Sequence, residues 1–184
     1  MIVFSAITAF QQTQTRLLTA FNLFSLYLQL YKLHLLLRSS ILIFEVHSTV
    51  VNNTVKFYGS DEILQEYLPR LATDTMGSFC LSEPGSGSDA FSLKTRADVS
   101  ADGSYYTLNG EKAWITNASH AGVFLVFATV DSSKGYKGIT CFVVDGDAEG
   151  LEVGKPENKL GIRASATCSV TLVSNFKAKR ACIA

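Results

Sequence analysis

The spacing of apolar positions changes character once along the chain, near Met76. Before it the pattern is helical. Residues Phe21 to Phe44 (FNLFSLYLQLYKLHLLLRSSILIF) are apolar on nearly all sides, as in a helix buried among partner helices. Ser60 then precedes Asp61-Glu62-Ile63-Leu64-Gln65-Glu66-Tyr67-Leu68, an N-cap residue with acids in the first turn and Ile63, Leu64, Tyr67 and Leu68 on one face. This predicts a short amphipathic helix, bent or restarted at Pro69 and continuing through Leu71.

After Met76 the period is that of strands. β-Branched and aromatic runs at 78–82, 93–99, 105–108, 113–116, 123–130, 139–145, 151–153 and 168–173 are separated by Gly, Asp, Ser and Asn. About eight short strands at this spacing describe a sandwich or barrel. Asn109-Gly110 between two of them is the preferred signal for a two-residue hairpin turn. Val123 to Val130 and Ile139 to Val144 are nearly continuously apolar, so both of their faces should be covered, either as central strands or by something outside this chain.

Composition separates the same two parts. The 184 residues carry 16 basic and 16 acidic groups. Residues 1–44 hold three of the bases (Arg16, Lys32, Arg38), no acid and 27 apolar residues. The remainder is mildly acidic. A zero net charge removes the basic footprint of a nucleic-acid binder. The longest uncharged run after Arg16 ends at Tyr31, 15 residues on, against the roughly 20 needed to span a bilayer; no stable membrane span is expected. A leader free of acids leans toward a mitochondrial presequence. Cys80, Cys141, Cys168 and Cys182 form no C-x-x-C pair, so no metal site is expected and the cysteines read as small apolar residues of a reducing compartment.

Two segments carry candidate chemistry. Gly85-Ser86-Gly87-Ser88-Asp89-Ala90 matches a dinucleotide-binding glycine pattern, yet a strand pattern follows it where that motif needs a helix to carry the pyrophosphate. Alternating Gly and Ser can converge backbone N–H groups on an anion, or can be an ordinary solvated loop; composition leaves both open. Trp114, the single tryptophan, lies two residues before Thr116. A stacking plane and a hydroxyl on one strand face suit a flat heteroaromatic ligand, and a core tryptophan is the competing reading.

Taken together, Phe79-Cys80-Leu81-Ser82-Glu83-Pro84-Gly85-Ser86-Gly87-Ser88-Asp89, the run Leu108-Asn109-Gly110-Glu111-Lys112 into Trp114-Ile115-Thr116, then Gly135-Tyr136-Lys137-Gly138-Ile139-Thr140 and Lys159-Leu160-Gly161-Ile162-Arg163-Ala164-Ser165 are familiar. The chain resembles the acyl-CoA dehydrogenases, and among them the short/branched-chain type that oxidises 2-methylbutyryl-CoA in isoleucine degradation. The resemblance implies a mainly β fold: a middle-domain β-barrel over 76–184 that binds FAD and acyl-CoA, preceded over 46–75 by the end of an N-terminal helical domain. Residues 1–45 are an atypical apolar helical leader outside the resemblance, and the family's C-terminal helical domain is absent.

Carried over by position, the resemblance places Phe79, Cys80, Leu81, Ser82, Gly87, Ser88, Trp114, Ile115 and Thr116 at FAD, with Ser88 and Tyr136 at the acyl-CoA. It further implies electron-transfer flavoprotein as electron acceptor, a homo-oligomer in full-length form and a mitochondrial matrix location. The reaction also needs a base for the substrate's α-proton, which in the family is a glutamate of the C-terminal domain. No catalytic residue is therefore expected in this chain, Glu83 is assigned to the flavin loop, and the chain alone is expected to be inactive. The alternative is a non-catalytic flavin- or CoA-binding or subunit-pairing module.

Overall fold

The computed structural model describes the backbone of residues 41–181 and the side chains of residues 41–173. The apolar leader expected over 1–45 lies almost wholly outside the described residues, as does Cys182. A π-helical stretch, Val46–Val51, runs into α1 (Asn52–Tyr58), and Gly59 is extended before Ser60. Ser60 caps α2 (Asp61–Thr73), its Oγ accepting from the Ile63 amide at 3.4 Å, with Asp61 and Glu62 in the first turn. Rather than restarting at Pro69, α2 passes through it as one helix.

Among the described residues seven strands follow: β1 (Gly77–Cys80), β2 (Arg96–Val99), β3 (Tyr106–Thr116), β4 (Val123–Thr129), β5 (Ile139–Asp145), β6 (Leu151–Val153) and β7 (Thr167–Ala181). They form one sheet ordered β1-β4-β2-β3-β7-β5, with β6 on β7. Because β4 also pairs along its whole length with β5, the circuit β4-β5-β7-β3-β2 closes on itself, the last joint being the Arg96–Thr129 pair. β1 extends this barrel in parallel along the other edge of β4.

The continuous apolar runs are explained by two layers of packing. Phe124, Val126, Ala128, Phe142 and Val144 face the barrel interior with Leu108, Ile115, Cys168, Val170 and Leu172. The alternate residues Val123, Leu125, Cys141 and Val143 face outward and meet Val51, Val55, Ile63, Tyr67 and Leu71. Both faces of β4 and β5 are thus covered by the chain itself, burying each strand as the sequence demands.

Polar bonds fix that helical layer. The Tyr67 hydroxyl donates to Asp145 Oδ2 at 3.0 Å, and Arg70 Nη1 pairs with Asp145 Oδ1 at 2.8 Å. His47 bridges the helices to β1, accepting from the Gly77 amide at Nδ1 and meeting the Leu71 carbonyl at Nε2, each at 3.0 Å. Tyr67→Phe should cost about 1.5 kcal/mol, at the low end for a hydrogen bond to a charged group since Arg70 still serves Asp145. Equilibrium urea denaturation checks it; a loss under about 0.5 kcal/mol would remove the bond from the account.

The structure corrects the hairpin at Asn109-Gly110. Both residues lie inside β3, which is one eleven-residue strand rather than two, and the count falls from about eight strands to seven. The β2–β3 hairpin instead turns through 100–105, where the Ser100 amide donates to the Tyr105 carbonyl at 2.9 Å and Asp102 accepts from the hydroxyls of Ser100 and Ser104. Gly110 serves another purpose: a Cβ there would stand 2.7 Å from Thr95 Cα. Close backbone approach, with a register shift between Leu108 and Gly110, requires the glycine.

Candidate functional site

The loop between β1 and β2 is built around one buried acid. Glu83 begins a tight turn through Pro84 and Gly85, its amide and carbonyl bonded to those of Ser86 at 2.9 and 3.1 Å. Its carboxylate turns inward. Oε1 accepts from the Thr95 amide at 3.0 Å, the Thr95 hydroxyl at 2.5 Å and Lys112 Nζ at 2.7 Å, while Oε2 accepts from the Lys94 amide at 2.6 Å. Lys112 is wholly buried and also donates to the Leu81 carbonyl at 3.2 Å.

Burial would raise the Glu83 carboxyl, but the bonds from Lys112, Thr95 and Lys94 outweigh it and hold the group below its ordinary range. For Lys112 burial dominates and lowers the ammonium, Glu83 opposing. The carboxylate is thus buried, charged and engaged by four donors from Lys94, Thr95 and Lys112.

Beyond this anchor the loop is open. The amides of Gly85, Gly87 and Ser88 have no acceptor among the described residues, and a Cβ on Gly85 or Gly87 would meet nothing within 4 Å. Ser86 is buried and donates through Oγ to the Asp89 carbonyl at 2.7 Å. A single 3-10 turn, Ala90–Ser92, stands where a dinucleotide fold would begin a helix.

The adjacent wall is the end of β3. A bulge between Lys112 and Ile115, both buried, sets Trp114 at φ 61° with 64% of its surface exposed. Positive φ is a true outlier for a bulky residue, costing on the order of 1–3 kcal/mol, and such strain gathers at ligand sites. Thr116 follows, half-buried, its carbonyl accepting from the buried Ser78 hydroxyl at 2.5 Å. Asn117 then takes φ 68° and donates to the carbonyls of Ile43 and Gly77 at 3.0 and 3.5 Å.

Of the expected site residues, Ser82, Leu81 and Thr116 are half-buried and Gly87, Ser88 and Trp114 exposed. Cys80 and Ile115 point into the barrel core, leaving only their backbone for a ligand; burial pushes the Cys80 thiol up to about 12. Phe79 packs on Phe127, ring centroids 4.8 Å apart. Tyr136 sits in the Ser132–Gly138 loop after Gly135, whose φ of 55° suits glycine. Its exposed ring meets exposed Phe91, three residues past Ser88, at 5.6 Å. The loop, the end of β3 and Tyr136 are therefore one surface: Ala113 donates to the Ser82 carbonyl at 2.9 Å, and Phe91 connects the loop to Tyr136.

The family model described as acyl-CoA dehydrogenase, middle domain, matches residues 78–174, the barrel and both walls of this surface. The chain belongs to the acyl-CoA dehydrogenase family. It is 56% identical over 130 residues to the rat short/branched chain specific acyl-CoA dehydrogenase, mitochondrial, covering 71% of this chain and 30% of that protein. The chain thus spans under a third of this relative's length. Among solved structures, the prolyl acyl carrier protein oxidase AnaB superposes with TM-score 0.70 at 33% identity, covering 78% of this chain and 39% of the other. A glutaryl-CoA dehydrogenase from Mycobacterium smegmatis in complex with FADH2 superposes with TM-score 0.64 at 37% identity, covering 72% and 33%. The mainly β barrel is the middle-domain fold of the acyl-CoA dehydrogenases.

Sequence reading missed the ion pair and the bulge. The pair left a signal: Leu108, Gly110 and Lys112 alternate on the inward face of β3, so Lys112 had to be buried and in need of an acid.

Proposed function

We propose that this chain carries the flavin-facing half of an FAD-dependent acyl-CoA dehydrogenase acting on short/branched-chain thioesters of the 2-methylbutyryl-CoA type. The observation that carries the reading is the strained, exposed Trp114, held beside Thr116 against a loop whose glycine amides lack acceptors among the described residues. Those residues fit a flavin: an aromatic plane, a hydroxyl and open backbone donors within one rigid frame.

When bound, the flavin would accept the hydride leaving the β-carbon of the acyl chain. The chain's own residues hold and orient. Trp114 and Thr116 flank the ring, the Thr116 hydroxyl donating to it; Ser82 and the backbone of Phe79, Cys80, Leu81, Gly87 and Ile115 serve its polar edge; Ser88 and Tyr136 receive the acyl-CoA. Fixed donors of this kind stabilise charge that develops on a reduced ring. In the assembled enzyme, residues 46–75 close an N-terminal helical domain and 76–184 form the middle domain. Electron-transfer flavoprotein takes the electrons, the enzyme is a homo-oligomer, and it works in the mitochondrial matrix, in keeping with the mitochondrial relative.

Because Trp114 is the single tryptophan, its fluorescence reports the site directly. Titration with FAD should quench it saturably, and Thr116→Val should weaken the apparent affinity about 5- to 10-fold, the worth of one hydrogen bond. Saturable quenching identical in Thr116→Val removes Thr116 from the ring. No quenching in the unaltered chain, at FAD concentrations up to millimolar, defeats the flavin reading for this polypeptide.

A further inference from the structure

We propose that Glu83 and Lys112 are positioning residues, a buried seam that fixes the spacing between the glycine–serine loop and the Trp114–Thr116 wall. The assignment of a ligand to that gap rests on the flavin reading above; the seam itself rests on geometry. Three consecutive loop residues are tied to two consecutive strand residues: the Leu81 carbonyl to Lys112 Nζ at 3.2 Å, the Ser82 carbonyl to the Ala113 amide at 2.9 Å, and Glu83 Oε1 to Lys112 Nζ at 2.7 Å. Trp114 follows directly on the strand side of these ties. The same carboxylate holds Lys94 and Thr95 at the entry to β2, so the loop is fastened at both of its ends through one side chain.

Stability alone is a poor reason for such a pair. Two buried charges repay little more than their own desolvation, and neutral replacements of similar volume are often tolerated or even stabilising. What the pair supplies is direction. Glu83 takes up four donors, and Lys112 reaches two different loop residues from one ammonium group, an arrangement that permits a single relative placement of loop and strand. A neutral side chain of the same size fills the space without that constraint.

The double variant Glu83→Gln/Lys112→Met tests this, since it leaves no lone buried charge and the new amide oxygen still offers an acceptor to Thr95. Its thermal midpoint should stay within a few degrees of the unaltered chain. Amide hydrogen exchange at Ala113 and Ser86 should quicken at least 10-fold while Leu125 and Val143 in β4 and β5 are unchanged. FAD quenching of Trp114 should weaken by a similar factor. Unchanged exchange at Ala113, or a midpoint that collapses together with exchange in β4 and β5, overturns the proposal, the second outcome marking the pair as merely structural. If the unaltered chain shows no flavin quenching, the flavin reading fails while the exchange comparison still decides the seam.

Discussion

Lys112→Met alone is expected to lower the unfolding free energy by about 3–5 kcal/mol at neutral pH, the cost of leaving one member of a buried pair without its partner. The thermal midpoint should drop by about 10 °C. The reason is Glu83: deprived of the ammonium at 2.7 Å, its carboxylate stays charged in a site from which solvent is excluded. Acid should lessen the defect. In the unaltered chain Glu83 is held below its ordinary range, so its contribution is present above that range and lost as the pH falls through the lowered value. In Lys112→Met, burial is no longer opposed by the ammonium and raises the carboxyl, which then takes up a proton with little penalty. The stability gap between the two proteins should therefore be widest near pH 7 and narrow steadily toward pH 4. Denaturant midpoints measured across that interval check it; a gap independent of pH would show that lost packing, not an uncompensated charge, sets the cost.

The parts of the fold that were legible in the sequence are those decided by local spacing. The nearly unbroken apolar runs in Val123–Thr129 and Ile139–Asp145 announced strands covered on both faces, and the second cover includes α2, whose start at Ser60 could be read from its cap and first-turn acids. Asn109-Gly110 misled because the dipeptide is compatible with two uses of glycine. Whether it turns or admits a neighbouring backbone depends on Thr95, distant in the chain and adjacent only once β2 and β3 pair. The candidate site divides in the same way. Trp114, Thr116 and the glycine–serine loop stood out as residue types, but the bulge that exposes Trp114 comes from the register of β3 against β7, which no local pattern encodes. Lys112 could be placed inside by alternation. Its partner Glu83, 29 positions away in the chain, sits among Ser, Pro and Gly, where an acid reads as one more solvated loop residue.

Gly110→Ala should cost about 3 kcal/mol, at the upper end for overpacking. The added Cβ would lie 2.7 Å from Thr95 Cα and 2.8 Å from Thr95 Cβ, atoms that no rotamer change can move, so β2 and β3 must separate. Displacing Thr95 also withdraws the amide and hydroxyl that Glu83 Oε1 accepts, and the defect passes from the sheet to the loop. Hydrogen exchange should quicken at Lys94 and Thr95 first and at Ala113 with them, and FAD quenching of Trp114 should weaken in step. Gly85→Ala is the matched control: its Cβ meets nothing within 4 Å, and its effect on stability should stay within about 0.5 kcal/mol, as for a surface substitution that disturbs no packing. Comparable losses in the two variants would mean that the general cost of replacing glycine, rather than the approach of Thr95 to β3, governs the first, and the link from Gly110 through Thr95 to the Glu83 carboxylate would be broken.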